Sequence, residues 1–166
     1  MKGKAKNPLI GVCTFRLTPG PEVQILPDGL FRAEDGRPHG LPGWRLDSEI
    51  AANVIARAEA RRRDTVIDYE HESMSGGKAP AAGWWHNLSY RIGDGLFITD
   101  ARWTDTAYAH IEKDEYRYIS PVFSFDPDTG AVLRILNVAI TNDPGIDGME
   151  EVEVAAAAKF LLNENE

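Results

Sequence analysis

Cysteine is nearly absent: Cys13 is the single thiol in 166 residues. One thiol excludes an intramolecular disulfide and a zinc cage built from cysteines, and such usage fits a reducing compartment. Basic residues are the second shortage, with 18 Lys and Arg against 26 Asp and Glu and a formal net charge of −8. A surface of that sign repels phosphate backbones, and no basic run interleaved with aromatics offsets it. The one basic cluster, Arg61-Arg62-Arg63, falls at the end of an expected helix, where cations meet the negative end of the dipole. No nucleic-acid partner is expected. Long apolar runs are also missing. There is no secretory core segment and no stretch of the roughly 20 apolar residues that a membrane-spanning helix needs, so no membrane association is expected. Internal repeats are absent, and low complexity is confined to the alanine run near the end.

What remains is an ordinary globular composition, 43% hydrophobic and 27% charged, of a length that suits one domain with a real core. "PLIGVCTFR" (8–16) reads as a buried strand, which makes Cys13 a core residue. "EVQILPDGLFRAE" reads as two strands around Asp28-Gly29, a strong hairpin dipeptide. The Gly/Pro-rich stretch 36–46 reads as a loop. Asp47 is placed to cap a helix whose Ile50, Val54 and Ala58 share one face. "TVIDY" is the next strand, followed by a glycine-rich loop. "WWHNLSYR" and "LFITDARW" flank Gly93-Asp94-Gly95 as a second hairpin. A short helix is expected from Asp105 to about Lys113. "YRYISPVFSFD" and "AVLRILNVAIT" flank "PDTG" as a third hairpin. About seven short strands with two inserted helices predict a mainly β, α+β fold, a mostly antiparallel barrel or packed sheets. The expected domain covers 1–150, and 151–166 is an Ala-rich tail or the start of a linker.

Two residues stand out chemically. Ser120 sits in a strand otherwise built of aromatic and β-branched residues, sharing a face with Tyr116, Tyr118 and Val122 by the two-residue period. Pro121 follows it directly, and proline confines a strand to an edge or a bulge. Ser120 is therefore either a small residue relieving crowding at a bulge or a nucleophile. His71, in "DYEHES", lies at a strand end beside the mobile-looking loop, between Glu70 and Glu72. The flanking carboxylates favour the imidazolium, which suits a general base that must hold a proton midway through acyl transfer. His39 in a Gly/Pro loop and His110 on a polar helix read as surface residues, and His86 reads as an aromatic packing partner. Cys13 has no histidine or basic stretch nearby in sequence to activate it. A metal site at Glu70, His71 and Glu72 is disfavoured, because adjacent strand residues point to opposite faces, and no HExxH helix is present.

The blocks "VIDYEH", "GGKAPAAGWW", "DGLF…ARWT", "EYRYISPVF" and "VAITNDPG", in this order over residues 8–148, resemble the Mu-like prophage I protein family. Those proteins are head-maturation proteases and scaffolds, similar to other phage prohead proteases and more distantly to herpesvirus assemblins. The resemblance implies an assemblin-like serine protease on a seven-stranded barrel, without cofactor or metal. It makes Ser120 the nucleophile and His71 the general base. Assemblins use a second histidine after the serine, and no histidine here follows Ser120. Asn142 is then the favoured third member, ahead of Asp68. Pro121 has no N–H to offer an oxyanion, so donors are expected from Ser120 itself, the 141–143 backbone or the Asn142 amide.

The same resemblance implies an endopeptidase of capsid assembly that cleaves scaffold and itself through an acyl-enzyme. Scaffold and major capsid protein are the implied substrates. Self-association is implied during assembly, inside the prohead in the host bacterial cytoplasm. Self-cleavage is expected in or just after 153–166. The rival reading is a non-catalytic scaffold or tube-like structural barrel. A metal hydrolase is a third.

Overall fold

The computed structural model describes residues 8–143 apart from Thr18 and Gly77; the expected tail at 151–166 and its boundary near 150 lie outside the described residues. The framework is one long hairpin, β11 (Tyr118–Phe125) with β12 (Val132–Thr141). On one side of it β11 is flanked by β1 (Leu9–Val12) and β2 (Phe15–Arg16), both antiparallel. On the other, β6 (Thr65–Tyr69) runs parallel to β12. β7 (Gly83–Trp85) and β10 (Arg102–Trp103) continue outward, giving a seven-stranded sheet ordered β1-β11-β12-β6-β7-β10 with β2 also on β11. A second sheet is ordered β3-β9-β8, from β3 (Val23–Pro27), β9 (Gly95–Ile98) and β8 (Leu88–Arg91). β4 (Gly29–Phe31) and β5 (Trp44–Leu46) form a two-stranded ribbon. The helices are α1 (Ser48–Glu59) and α2 (Asp105–Glu112).

The mainly β, α+β expectation holds, and pairing is mostly antiparallel, with β6 against β12 the one parallel ladder between named strands among the described residues. The closed barrel does not form: among the described residues no ladder joins β1 to β10. The strands are also shorter and more numerous than expected, for local reasons. Asp28-Gly29 does not turn a hairpin. The Asp28 carboxylate accepts from Gly93 N (2.7 Å) in the β8–β9 turn and from Tyr90 Oη (2.6 Å) on β8. β3 therefore pairs with β9, and β4 with β5. The expected loop at 36–46 ends in β5, whose Trp44 and Leu46 are buried. The run 83–91 breaks at His86-Asn87, where Asp100 Oδ1 takes both backbone N–H groups at 3.0 and 2.9 Å. That break sends β7 to the large sheet and β8 to the small one. The β8–β9 and β11–β12 hairpins form as expected.

Helix α1 begins where the sequence places it, with Asp47 Oδ1 accepting from Ile50 N at 2.8 Å. Its Ala51, Val54 and Ala58 are buried in the main core. The same core receives Ile119 and Phe123 from β11, Val138 and Ile140 from β12, and Cys13. Trp44 meets Phe123 edge-on at 5.0 Å and Phe125 at 5.8 Å. Each fully buried aromatic of this kind contributes roughly 1.5–3 kcal/mol. The close packing forces glycine at position 11, where a Cβ would lie 2.6 Å from Phe123 Cε2 and 2.9 Å from Trp44 Cζ2.

Pro121 explains the gap between β1 and β2. Val12 pairs with Val122 and Phe15 with Ile119, so both pieces keep one register along β11. The ladder lapses only at Cys13-Thr14, opposite Pro121 and Ser120, because proline has no N–H to donate.

Candidate active site

β6, β11 and β12 bring one polar set to a single sheet face. Ser120 on β11 and Asp68 on β6 are both in register with Ala139 on β12. Residues two apart share a face, so Asn137 joins them, paired with Val122 across the hairpin. Ser120, Asp68 and Asn137 are all buried, at 0%, 0% and 4% relative exposure. Buried polar groups need partners, and this set finds them in itself, in His71 and in Ser73, with Asp68 Oδ1 left over.

By strand parity alone His71 belongs to the opposite face. The chain corrects this just past β6, where Glu70 and His71 occupy successive left-handed positions at φ 53° and 58°. Each such non-glycine residue costs on the order of 1–3 kcal/mol and persists only where the surroundings hold it. Here Glu70 N donates to Ile140 O (3.0 Å), Thr141 Oγ1 donates to Glu70 Oε2 (2.7 Å), and Met74 N donates to His71 O (3.0 Å). A 3-10 turn, Glu72–Ser75, follows directly.

The turn back places His71 Nε2 3.0 Å from Ser120 Oγ. Nδ1 of the same ring is hydrogen-bonded to Asn137 Oδ1. Asn137 Nδ2 donates to Asp68 Oδ2 (3.2 Å) and to Ser73 Oγ (3.0 Å). Ser73 N donates to Asp68 Oδ2 at 2.9 Å, and the Ser73 hydroxyl donates to the same oxygen. The arrangement is a hydroxyl on an imidazole, the imidazole on an amide, and the amide on a carboxylate. It can draw a proton from Ser120 and hold the resulting imidazolium, the requirement for an activated nucleophile.

Met74 packs with Val12, Val122 and Leu136, with Ile10 alongside, in a small cluster separate from the main core. Leu136 is the residue that a β-bulge between Val122 and Phe123 leaves unpaired. Val122 shares the face of Ser120, so the turn lies over the serine, which has no exposure. The cavity of about 1010 Å³ lined by Arg61, Arg62, Arg63, Trp84 and Arg102 contains neither Ser120 nor His71.

The other candidates lie elsewhere. Asn142 is exposed, its Nδ2 donating to Glu115 O (2.6 Å) and its Oδ1 accepting from Arg117 N (3.0 Å). Its amide is engaged there and makes no hydrogen bond to His71 or Ser120, a position that Asn137 takes instead. Asp68 reaches the histidine only through Asn137. The side chain of Glu70 holds Thr141, and Glu72 is exposed. The Tyr116 hydroxyl is pushed up first by burial and then by the charge of Glu70, with smaller contributions from Tyr69 and Glu72. His39 is exposed, His110 is half-buried beside Tyr116, and His86 sits at the β7–β8 break. Cys13 is buried. Among the described residues no three His, Cys, Asp or Glu side chains converge as a metal site would require, and no helix is long and apolar enough to cross a membrane.

Asn137 escaped the sequence reading. Its signal was present: it is the only polar side chain between Arg134 and Thr141, in a strand that is otherwise apolar there.

Comparison with known proteins matches residues 23–153 to the model of the Mu-like prophage I protein, N-terminal domain. The chain is 43% identical over 145 residues to Protease I of Escherichia phage Mu, covering 81% of this chain and 40% of that protein. It is 36% identical over 167 residues to the Mu-like prophage FluMu I protein of Haemophilus influenzae, covering 93% of this chain and 46% of that protein. The chain thus spans less than half the length of these curated relatives. No solved structure matches.

Proposed function

The chain belongs to the Mu-like prophage I protein family, and on that premise we propose that it is a serine endopeptidase of phage capsid assembly. The observation that carries the reading is the 3.0 Å contact of His71 Nε2 with Ser120 Oγ in a buried polar set. In the proposed reaction His71 takes the Ser120 proton as Oγ attacks the scissile carbonyl, and returns it to the leaving amine. Asn137 holds the ring, and water then releases the acyl group from Ser120. Scaffold, major capsid protein and the chain itself are the proposed substrates, met inside the assembling prohead in the host cytoplasm, where the chain self-associates. Kinship with assemblins rests on the order of histidine and serine, not on a closed barrel.

Because Ser120 is fully buried, a substrate carbonyl reaches it only when the Glu72–Ser75 turn is displaced. The test is trapping with a serine-directed fluorophosphonate, read by intact mass and peptide mapping. One adduct on Ser120 is expected in the wild type, and none in Ser120→Ala. Absence of any adduct under conditions where partner scaffold is present favours the rival, a non-catalytic scaffold or structural module of assembly. Inhibition by chelators instead of the phosphonate favours a metal hydrolase.

A further inference from the structure

The polar set contains one group that the proton-transfer scheme does not use. Asp68 touches neither the serine nor the histidine, yet its carboxylate is fully buried, with Oδ1 unpartnered among the described residues. Burying such a group is costly, so stability alone does not account for it.

Its contacts have a definite direction. The backbone N–H of Ser73 can only donate, so Asp68 Oδ2 is an acceptor. The Ser73 hydroxyl spends its proton on the same oxygen, which leaves Ser73 Oγ as an acceptor. Asn137 faces both oxygens, at 3.2 and 3.0 Å. Only its NH₂ can serve two acceptors, so the amide oxygen must point the other way, at His71 Nδ1. An oxygen there requires the proton on Nδ1, and Nε2 is left with the lone pair that Ser120 needs. A reversed amide would place a donor against Nδ1, move the ring proton to Nε2 and disable the base.

We infer that Asp68, with Ser73, is a positioning residue that fixes the Asn137 amide and thereby the tautomer of His71. The inference deepens the protease reading and rests on it for its purpose, but its physical content can be read without catalysis. It also ties the covering turn to the base, since Ser73 belongs to that turn.

The experiment is a long-range ¹H–¹⁵N correlation spectrum of the histidine side chains, with His71 assigned by its loss in His71→Gln. Neutral His71 in the wild type is expected as the Nδ1–H tautomer. Asp68→Asn should introduce the Nε2–H form and slow fluorophosphonate labelling of Ser120 by about tenfold or more, a part of the roughly 10²–10⁴-fold that a general base supplies. Should Asp68→Asn fail to fold by circular dichroism, Ser73→Ala reads the same coupling, with a partial shift toward Nε2–H. An Nε2–H wild type, or a folded Asp68→Asn with an unchanged tautomer and labelling rate, overturns the inference. An Nδ1–H wild type that shifts in the variants but never labels would sink the protease reading and leave this assignment standing.

Discussion

Asp68 and Ser120 meet the same residue, Ala139, from opposite sides of β12. On their shared face Ala139 contributes only a methyl group between a buried carboxylate and a buried hydroxyl. His71 comes over this face to reach Ser120. A larger residue at 139 competes with the imidazole for space. Ala139→Val is expected to cost about 1–3 kcal/mol in denaturant unfolding, the usual range for overpacking, and to abolish fluorophosphonate labelling. Labelling at the wild-type rate would show that the ring does not need this space.

The two asparagines near the end of the described chain separate cleanly. Asn137 holds His71, while Asn142 ties the backbone of Glu115 and Arg117. Asn137→Ala is expected to lower turnover by about 10²–10⁴-fold, as loss of a base's orienting partner does. Asn142→Ala should leave turnover within about twofold, since its contacts only brace the β11 entry. Equal losses in the two variants would return Asn142 to the site.

Ser120 and His71 were legible because each breaks a local pattern, a hydroxyl among aromatic and β-branched strand residues and a histidine between glutamates beside a glycine-rich loop. Asn137 broke a pattern as clearly, but locating it requires the hairpin register. Two bulges, between Val122 and Phe123 and between Ser124 and Phe125, shift that register, and counting back from the PDTG turn misses them. Local turns were legible in the same way: Asp47 caps α1, and Gly93-Asp94-Gly95 turns β8 into β9. Asp28-Gly29 failed because its carboxylate is spent on Tyr90 and Gly93, more than 60 residues away. Barrel closure is likewise a long-range pairing that no local signal carries, and it does not occur among the described residues.

The covering turn makes a prediction of its own. Met74 anchors Glu72–Ser75 on Val12, Val122 and Leu136. Met74→Ala removes most of that anchor, at about 2–5 kcal/mol for a buried methionine, with the low end expected for so small a cluster. Ser120 should then label faster, because the closed state has lost contacts that the open state never had. Slower labelling in a folded Met74→Ala protein would mean that the turn positions the site more than it blocks it.

Self-processing is the next expectation. "EVAAAAKFLL" in 153–162 is rich in small side chains, which fit a shallow subsite at little steric cost. A chain extended toward the length of its relatives should be cut in or just after 153–166 by its own Ser120. Mass spectrometry of the termini reads this directly. Identical termini from wild type and Ser120→Ala would assign the cut to another protease.

Stability should fall at both ends of the pH scale through one pair, Asp28 and Tyr90. The Tyr90 hydroxyl, with Gly93 N–H as the second cause, holds the Asp28 carboxyl below its ordinary value of 3.8. The same hydrogen bond, joined by desolvation and by the charges of Asp28 and Asp47, pushes Tyr90 up from 10.0 to about 12. A depressed carboxylate contributes stability that is present above its unfolded value and is lost as pH falls through the folded one. A raised phenol contributes stability that is present below its unfolded value and is lost as pH climbs toward about 12. This pair fastens the end of β3 to β8, so it acts on the small sheet, away from Ser120. Tyr90→Phe should therefore lower the thermal midpoint at neutral pH, flatten both its acid and its alkaline decline, and leave fluorophosphonate labelling unchanged. A midpoint-against-pH curve of unaltered shape in Tyr90→Phe would show that the bond contributes nothing to folding.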